Sequence, residues 1–241
     1  MKDLNGKTAI ITGGTKGIGL GIAQAMMAEG MNVLVTGRTQ AAVDEVVTEL
    51  NKSAKGKAIG LAADVRDYNA NVACVDAVVK AFGKLDVLIA NAGVGHFASI
   101  EDMTAKQWNE TIDVNLTGVF NGIKAAIPSL KETEGYFISI ASLAGTNFFA
   151  KGAAYNASKF GLVGFTQAVM LDLRKYGIKC TTIMPGSVST HFNNNTPDDA
   201  DAWKIQPEDL GQMVVDLLKI HPRSLPSKVE VRPTIPPSAK K

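Results

Sequence analysis

An apolar run that breaks directly into glycines, TAIITGGTKGIG at residues 8–19, constrains this chain more than any other stretch. Ala9, Ile10 and Ile11 are continuous in their apolarity, which suits a strand covered on both faces, as in a parallel sheet. Gly13, Gly14, Gly17 and Gly19 follow at once, and helical spacing resumes at Ile18. Glycines there permit a tight turn and let backbone N–H groups approach an anion, while the following helix aims its positive end at the same place. The stretch reads as a phosphate cradle, with GxxxGxG spacing instead of GxGxxG. An ordinary strand–helix connection would look the same in isolation.

Past the glycines, the first helix stops at Gly30. Spacing predicts strands over 31–36, 57–62, 85–90, 135–140, 178–184 and 228–231. Helices are predicted over 41–50, 69–82, 104–126, 153–176 and 207–218, with capping-box spacing at Thr104 and Gln107. Strands alternating with helices throughout imply α/β architecture: a Rossmann-type, doubly wound parallel sheet with helices on both faces. One domain over 1–235 suits a 241-residue chain. Five of nine prolines follow His221, so a short last strand and an extended, mobile tail at 236–241 are expected.

With 46% hydrophobic residues, 20% charged and a net charge of +2, neither disorder nor a nucleic-acid partner is indicated. Cys74 and Cys180 lack a CxxC spacing or a His cluster, so they read as structural thiols in a reducing compartment, with no metal site. The first strand begins near Lys7, leaving no room for a signal peptide, and no apolar run has the ~20 residues of a membrane span. A soluble cytoplasmic protein is expected.

In sheets of this kind the ligand lies beyond the carboxyl ends of the strands. The second strand closes with Gly37, Arg38 and Thr39, where binders of the unphosphorylated dinucleotide place an acid. No acid is present. Arg38 offers a planar fork to a 2′-phosphate and Lys16 a second charge, which predicts NADP(H) over NAD(H) unless both are merely solvated cations. The third strand closes with Asp64 and Val65, suited to an adenine amino group and ring, or to an Asx turn. Asn91, Ala92 and Gly93 close the fourth and let backbone lie along a cofactor.

The fifth strand ends at Ser142, and the next helix carries Tyr155 and Lys159, four apart and so on one face. A phenol titrates near ~10 in water, and a neighbouring ammonium is expected to lower that value. Tyr155 could then pass a proton to a carbonyl oxygen as hydride reaches its carbon, with Ser142 holding the developing alkoxide.

The chain resembles the short-chain dehydrogenase/reductase family through TGGTKGIG (Thr12, Thr15, Lys16, Gly17, Ile18 and Gly19 within it), NAG at 91–93, Val114-Asn115, Ser142, YNASK at 155–159 and PGSVST at 185–190. Ala90 departs from the pattern, where many members carry a second asparagine. The resemblance implies the fold above with strand order 3-2-1-4-5-6-7. It also implies that Asn115 completes a catalytic set in a proton relay through Lys159, and that Lys159 holds the nicotinamide ribose. Pro185, Gly186, Val188 and Thr190 would touch the carboxamide and pyrophosphate. Assembly as a homodimer or homotetramer through the two long helices is implied as well.

Substrate identity is less legible. The polar segment 191–204 is expected to act as a lid. His96, Phe97, Ala144, Phe148, Phe149 and Met184 lie near strand ends as pocket candidates or filler, whereas His191 and His221 read as solvent-facing and structural. The favoured function is NADPH-dependent reduction of a ketone or 3-oxoacyl carbonyl to a secondary alcohol. Oxidation of a secondary alcohol, sugar or polyol, and NADP(H) sensing without turnover, are the alternatives.

Overall fold

The alternating runs build one seven-stranded sheet. A computed structural model describes residues 3–52 and 55–236. The strands are β1 (Thr8–Ile11), β2 (Asn32–Gly37), β3 (Ala58–Ala62), β4 (Val87–Ala90), β5 (Tyr136–Ile140), β6 (Lys179–Pro185) and β7 (Lys228–Val231). Their order is 3-2-1-4-5-6-7 and every pairing is parallel, as expected. The crossovers carry α1 (Gly17–Ala28), α2 (Gln40–Leu50), α3 (Tyr68–Phe82), α4 (Ala105–Ile112), α5 (Gly118–Thr133), α6 (Ala153–Leu173) and α7 (Pro207–Lys219).

Alternation along each strand divides the core in two. Ala9, Ile11, Val33, Val35 and Ile89 pack with Ile22 and Met26 of α1 and Leu210 and Val214 of α7. Ile10, Leu34, Leu88 and Phe137 pack on the other side with Val78, Ile123 and Leu162. Both faces are therefore dry, which is why β1, β4 and β5 are buried along their whole length. Helices α1 and α7 touch backbone to backbone, since a Cβ at Gly211 would stand 2.5 Å from the Gly21 carbonyl oxygen.

The helix expected over 104–126 is two helices. The Thr104–Gln107 capping box starts α4, a π turn at Asp113–Thr117 interrupts it, and α5 then runs through Pro128 to Thr133. A proline inside a helix forfeits a hydrogen bond and costs about 3 kcal/mol. The last turn persists because Leu130 is wholly buried and the Thr133 hydroxyl donates to the Leu85 carbonyl at 2.7 Å. The C-terminal half of the expected 153–176 helix closes with a 3₁₀ turn at Arg174–Tyr176. β7 falls where expected, and all of the expected tail beyond Pro236 lies outside the described residues.

Candidate active site

The glycine turn is held by its neighbours at the carboxyl edge of the sheet. Gly13 and Gly17 both have positive φ, +65° and +54°, a region that side chains rarely adopt. A Cβ on Gly19 would lie 2.5 Å from Asn91 Nδ2 and closer still to the Gly13 carbonyl oxygen. Asn91 Nδ2 donates to the carbonyls of Thr12 (2.9 Å) and Gly13 (3.1 Å). Thr12 Oγ1 in turn accepts from the N–H groups of Asn91 and Ala92. The side chain of Asn91 thus clamps the turn, a role beyond the backbone contact expected of it. Thr190 closes the other side, since a Cβ on Gly17 would meet its Cγ2 at 3.2 Å.

No side chain caps α1 at Lys16, and its first turn contains no acid, so the positive end of the helix dipole is left for an outside anion, worth about 0.3–1 kcal/mol and up to about 2 when partly buried. Lys16, Arg38 and Thr39 are exposed beside it, and among the described residues no carboxylate pairs with Arg38. A cradle that a Cβ would fill, next to unpaired cations, fits a dinucleotide pyrophosphate and a further phosphate.

Asp64 forms the Asx turn that was one of its two readings: its carboxylate accepts from Arg66 N and is gripped by the Arg66 guanidinium. That guanidinium holds the Asp64 carboxyl below the usual range. Val65 is buried, and its carbonyl accepts from Asn71 (2.9 Å) and Asn121 (3.2 Å).

Ser142, Tyr155 and Lys159 come together past the end of β5, two strands along from β1. The Ser142 side chain accepts from Ala144 N at 3.1 Å and stands near enough to Tyr155 to favour its phenolate. Lys159 is buried, with Nζ 5.7 Å from the centre of the Tyr155 ring and donating to the Ile140 carbonyl at 3.0 Å. Burial pulls its ammonium from 10.5 to about 8, which leaves roughly nine in ten charged at pH 7. The expected lowering of the Tyr155 phenol is corrected here: burial pushes it above its ordinary value, and the Ser142 hydroxyl opposes that only in part. Desolvation of the phenolate outweighs the ammonium, which faces the ring and bonds elsewhere.

Asn115 reaches this group through the π turn, whose extra residue rotates it inward. It is wholly buried; its amide accepts from Val94 N (2.8 Å) and donates to Val94 O (2.9 Å) and Ser158 Oγ (3.0 Å). Ser158 donates to the Tyr155 carbonyl. A Cβ on Gly93 would stand 3.3 Å from Asn115 Oδ1 and 3.8 Å from Lys159 Nζ, so that glycine keeps the space between them open. Pro185 ends β6, and Gly186 N donates to the Val231 carbonyl, which sets the following turn.

Two pocket candidates stand elsewhere: Met184 is core, and Phe148 is 86% exposed. Phe97 does lie by Tyr155, and Phe149 packs against Phe97. The segment 191–204 contains two 3₁₀ turns, and its base is closed by a bridge between Val188 and Ile205. Asp201 staples it, pairing with Lys204 and accepting from Ser189 Oγ at 3.3 Å. The sequence reading missed Phe192, whose ring lies 5.8 Å from that of Tyr155, and Gly95, which makes room for it. The signal available was a glycine two residues before Phe97.

Residues 7–201 match the family described as short chain dehydrogenase. The chain belongs to that family. As a short-chain dehydrogenase it is an oxidoreductase of CH–OH groups. It is 39% identical over 189 residues to a trans-4-hydroxycyclohexanecarboxylate dehydrogenase of Sinomonas cyclohexanicum, covering 76% of this chain and 73% of the relative. A D-beta-hydroxybutyrate dehydrogenase of Cupriavidus necator is 38% identical over 195 residues, covering 78% and 72%. Among solved structures, a metagenomic short-chain oxidoreductase in complex with NADP superposes with a TM-score of 0.84 at 33% identity, over 97% of this chain and all of that one. Among the described residues no three His, Cys, Asp or Glu gather to hold a metal, and no helix is long and apolar enough to cross a membrane.

Proposed function

We propose that this short-chain dehydrogenase reduces a ketone-type carbonyl to a secondary alcohol with NADPH, using Tyr155 as general acid. The observation that carries the reading is the convergence of Ser142 and Lys159 on one half-buried phenol, beside a glycine cradle that side chains cannot enter. NADPH, when bound, supplies the hydride. Gly13, Thr15, Lys16, Gly17, Ile18 and Gly19 hold the pyrophosphate, Arg38, Thr39 and Lys16 the 2′-phosphate. Asp64, Val65, Asn91, Ala92 and Gly93 line the adenosine side; Pro185, Gly186, Val188 and Thr190 border the nicotinamide end.

Ser142 Oγ donates to the substrate carbonyl oxygen, and Tyr155 gives that oxygen its proton as charge develops there. A phenol raised by burial stays protonated at neutral pH, which suits a donor. The Lys159 ammonium stabilises the phenolate left behind and holds the ribose. Asn115 fixes Val94 and Ser158 and lies on the path by which a proton returns.

Oxidation of a secondary alcohol is the second reading, favoured by the two relatives named as dehydrogenases of hydroxy acids. Assembly into a homodimer or homotetramer is the reading that exposed Phe120, Phe160 and Leu171 on α5 and α6 support. Two buried thiols outside any disulfide suit a reducing cytoplasm; burial pushes Cys74 up to about 11 and Cys180 up to about 12, so neither is reactive at neutral pH.

The test is NADPH absorbance followed with ketones, aldehydes and 3-oxoacyl thioesters. Turnover of at least one is expected; NADPH binding with no turnover of any, in either direction, contradicts the proposal and leaves a dinucleotide sensor.

A further inference from the structure

Two phenylalanines distant in sequence flank the Tyr155 ring, and a third packs against one of them. Phe97 stands edge-on to it with centroids 5.4 Å apart, Phe149 lies 5.9 Å from Phe97, and Phe192 covers Tyr155 at 5.8 Å. Gly95 is the gap that admits two of them: a Cβ there would stand 2.8 Å from Phe192 Cζ and 2.9 Å from Phe97 Cζ. Any larger residue at 95 would drive the rings apart.

These rings are not core. Phe97, Phe149 and Phe192 remain 37%, 48% and 39% exposed, so they present apolar surface beside the reacting hydroxyl that a ligand would cover. Nearby basic side chains are already engaged. His96 Nε2 faces Glu110 at 3.0 Å, Lys204 pairs with Asp201, and Lys159 is buried against the Ile140 carbonyl. An anionic group pressed among the rings would lose its water, since Lys151 and His191, the basic residues next along the chain to Phe149 and Phe192, are exposed to solvent.

We infer that Phe97, Phe149 and Phe192 form the substrate wall, and that it selects uncharged ketones or secondary alcohols bearing an apolar ring at the reacting carbon. Phe192 is held in the wall by the segment that Asp201 staples, and Phe97 follows the clamped Asn91, Ala92 and Gly93 turn. The inference rests on the carbonyl-reductase reading above and deepens it.

The test compares cyclohexanone and acetophenone with butanone and acetoacetate in the NADPH-loaded enzyme, for wild type, Phe192→Ala and Gly95→Ala. The wild-type kcat/KM is expected to be about tenfold or more higher for the two ring ketones, the scale on which one apolar contact discriminates. Both variants are expected to cut that ratio at least fivefold. NADPH binding, read by fluorescence, should hold within twofold, which separates a lost wall from a lost fold. A wild type that prefers butanone or acetoacetate, or a ratio that neither variant moves, overturns the inference while leaving the reductase reading intact. NADPH binding without turnover of any of the four removes the reductase reading, and the inference falls with it.

Discussion

Lys159→Met should stabilise the fold while abolishing turnover. Lowering the ammonium from 10.5 to about 8 corresponds to about 3.4 kcal/mol against the charged form, at about 1.36 kcal/mol per pH unit. Below pH 8 both folded and unfolded chains hold this proton, and the full penalty burdens the fold. Between pH 8 and 10.5 the folded chain has released the proton and the unfolded chain has not, so stability rises with pH. Methionine keeps an unbranched stem and a similar helix propensity without the charge. It also leaves the Ile140 carbonyl without its 3.0 Å donor, a loss of about 1–3 kcal/mol. The net gain at pH 7 is therefore about 0.5–2.5 kcal/mol, or a Tm higher by about 1–10 °C in a chain of this length. Thermal unfolding of the cofactor-free protein at pH 7 and pH 9.5 reads it. The variant's advantage should shrink by about 2 kcal/mol at the higher pH, as the wild-type lysine sheds its charge. A Tm that falls at pH 7, with a difference from wild type that does not change at pH 9.5, would refute the account of Lys159.

Replacing Arg38 by Asp should lower the NADPH-to-NADH ratio of kcat/KM by about 100-fold, since a charge-assisted pair worth about 1.5–3 kcal/mol becomes a repulsion; an unmoved ratio sinks the 2′-phosphate assignment. Gly19→Ala places a methyl on the Asn91 amide and the Gly13 carbonyl, an overpacking of about 1–3 kcal/mol. Calorimetry should show a Tm lower by about 2–12 °C, and NADPH titration a weaker affinity; an unaltered affinity would mean that the turn is only a connection.

Much of the scaffold was legible because its signals are local. β1, β4 and β5 are buried on both faces, so their sequences are uninterrupted apolar runs, and the glycines after Thr12 announce a turn with positive φ. Tyr155 and Lys159 share a helix, so spacing alone put them together. What escaped was set by packing between distant segments. Nothing in Asp113–Thr117 signals a π turn, and the purpose of Asn115 came only from resemblance. The helix expected to end at 126 runs on through Pro128 to Thr133, held by the burial of Leu130. The phenol was judged by its neighbouring charge, while desolvation by burial governs its direction. Phe97 and Phe149 stood out by lying near strand ends, whereas Phe192 did not, and only the closed 187–206 segment brings it over the site.

The most direct measurement is Tyr155→Phe, with NADPH affinity and ketone turnover determined on the same sample. The Tyr155 hydroxyl is the proton donor in this account, so turnover should fall by about 10²–10⁴-fold while NADPH affinity stays within twofold. Turnover within fivefold of wild type would mean that the proton comes from elsewhere, and would contradict the assignment of this phenol as the catalytic acid.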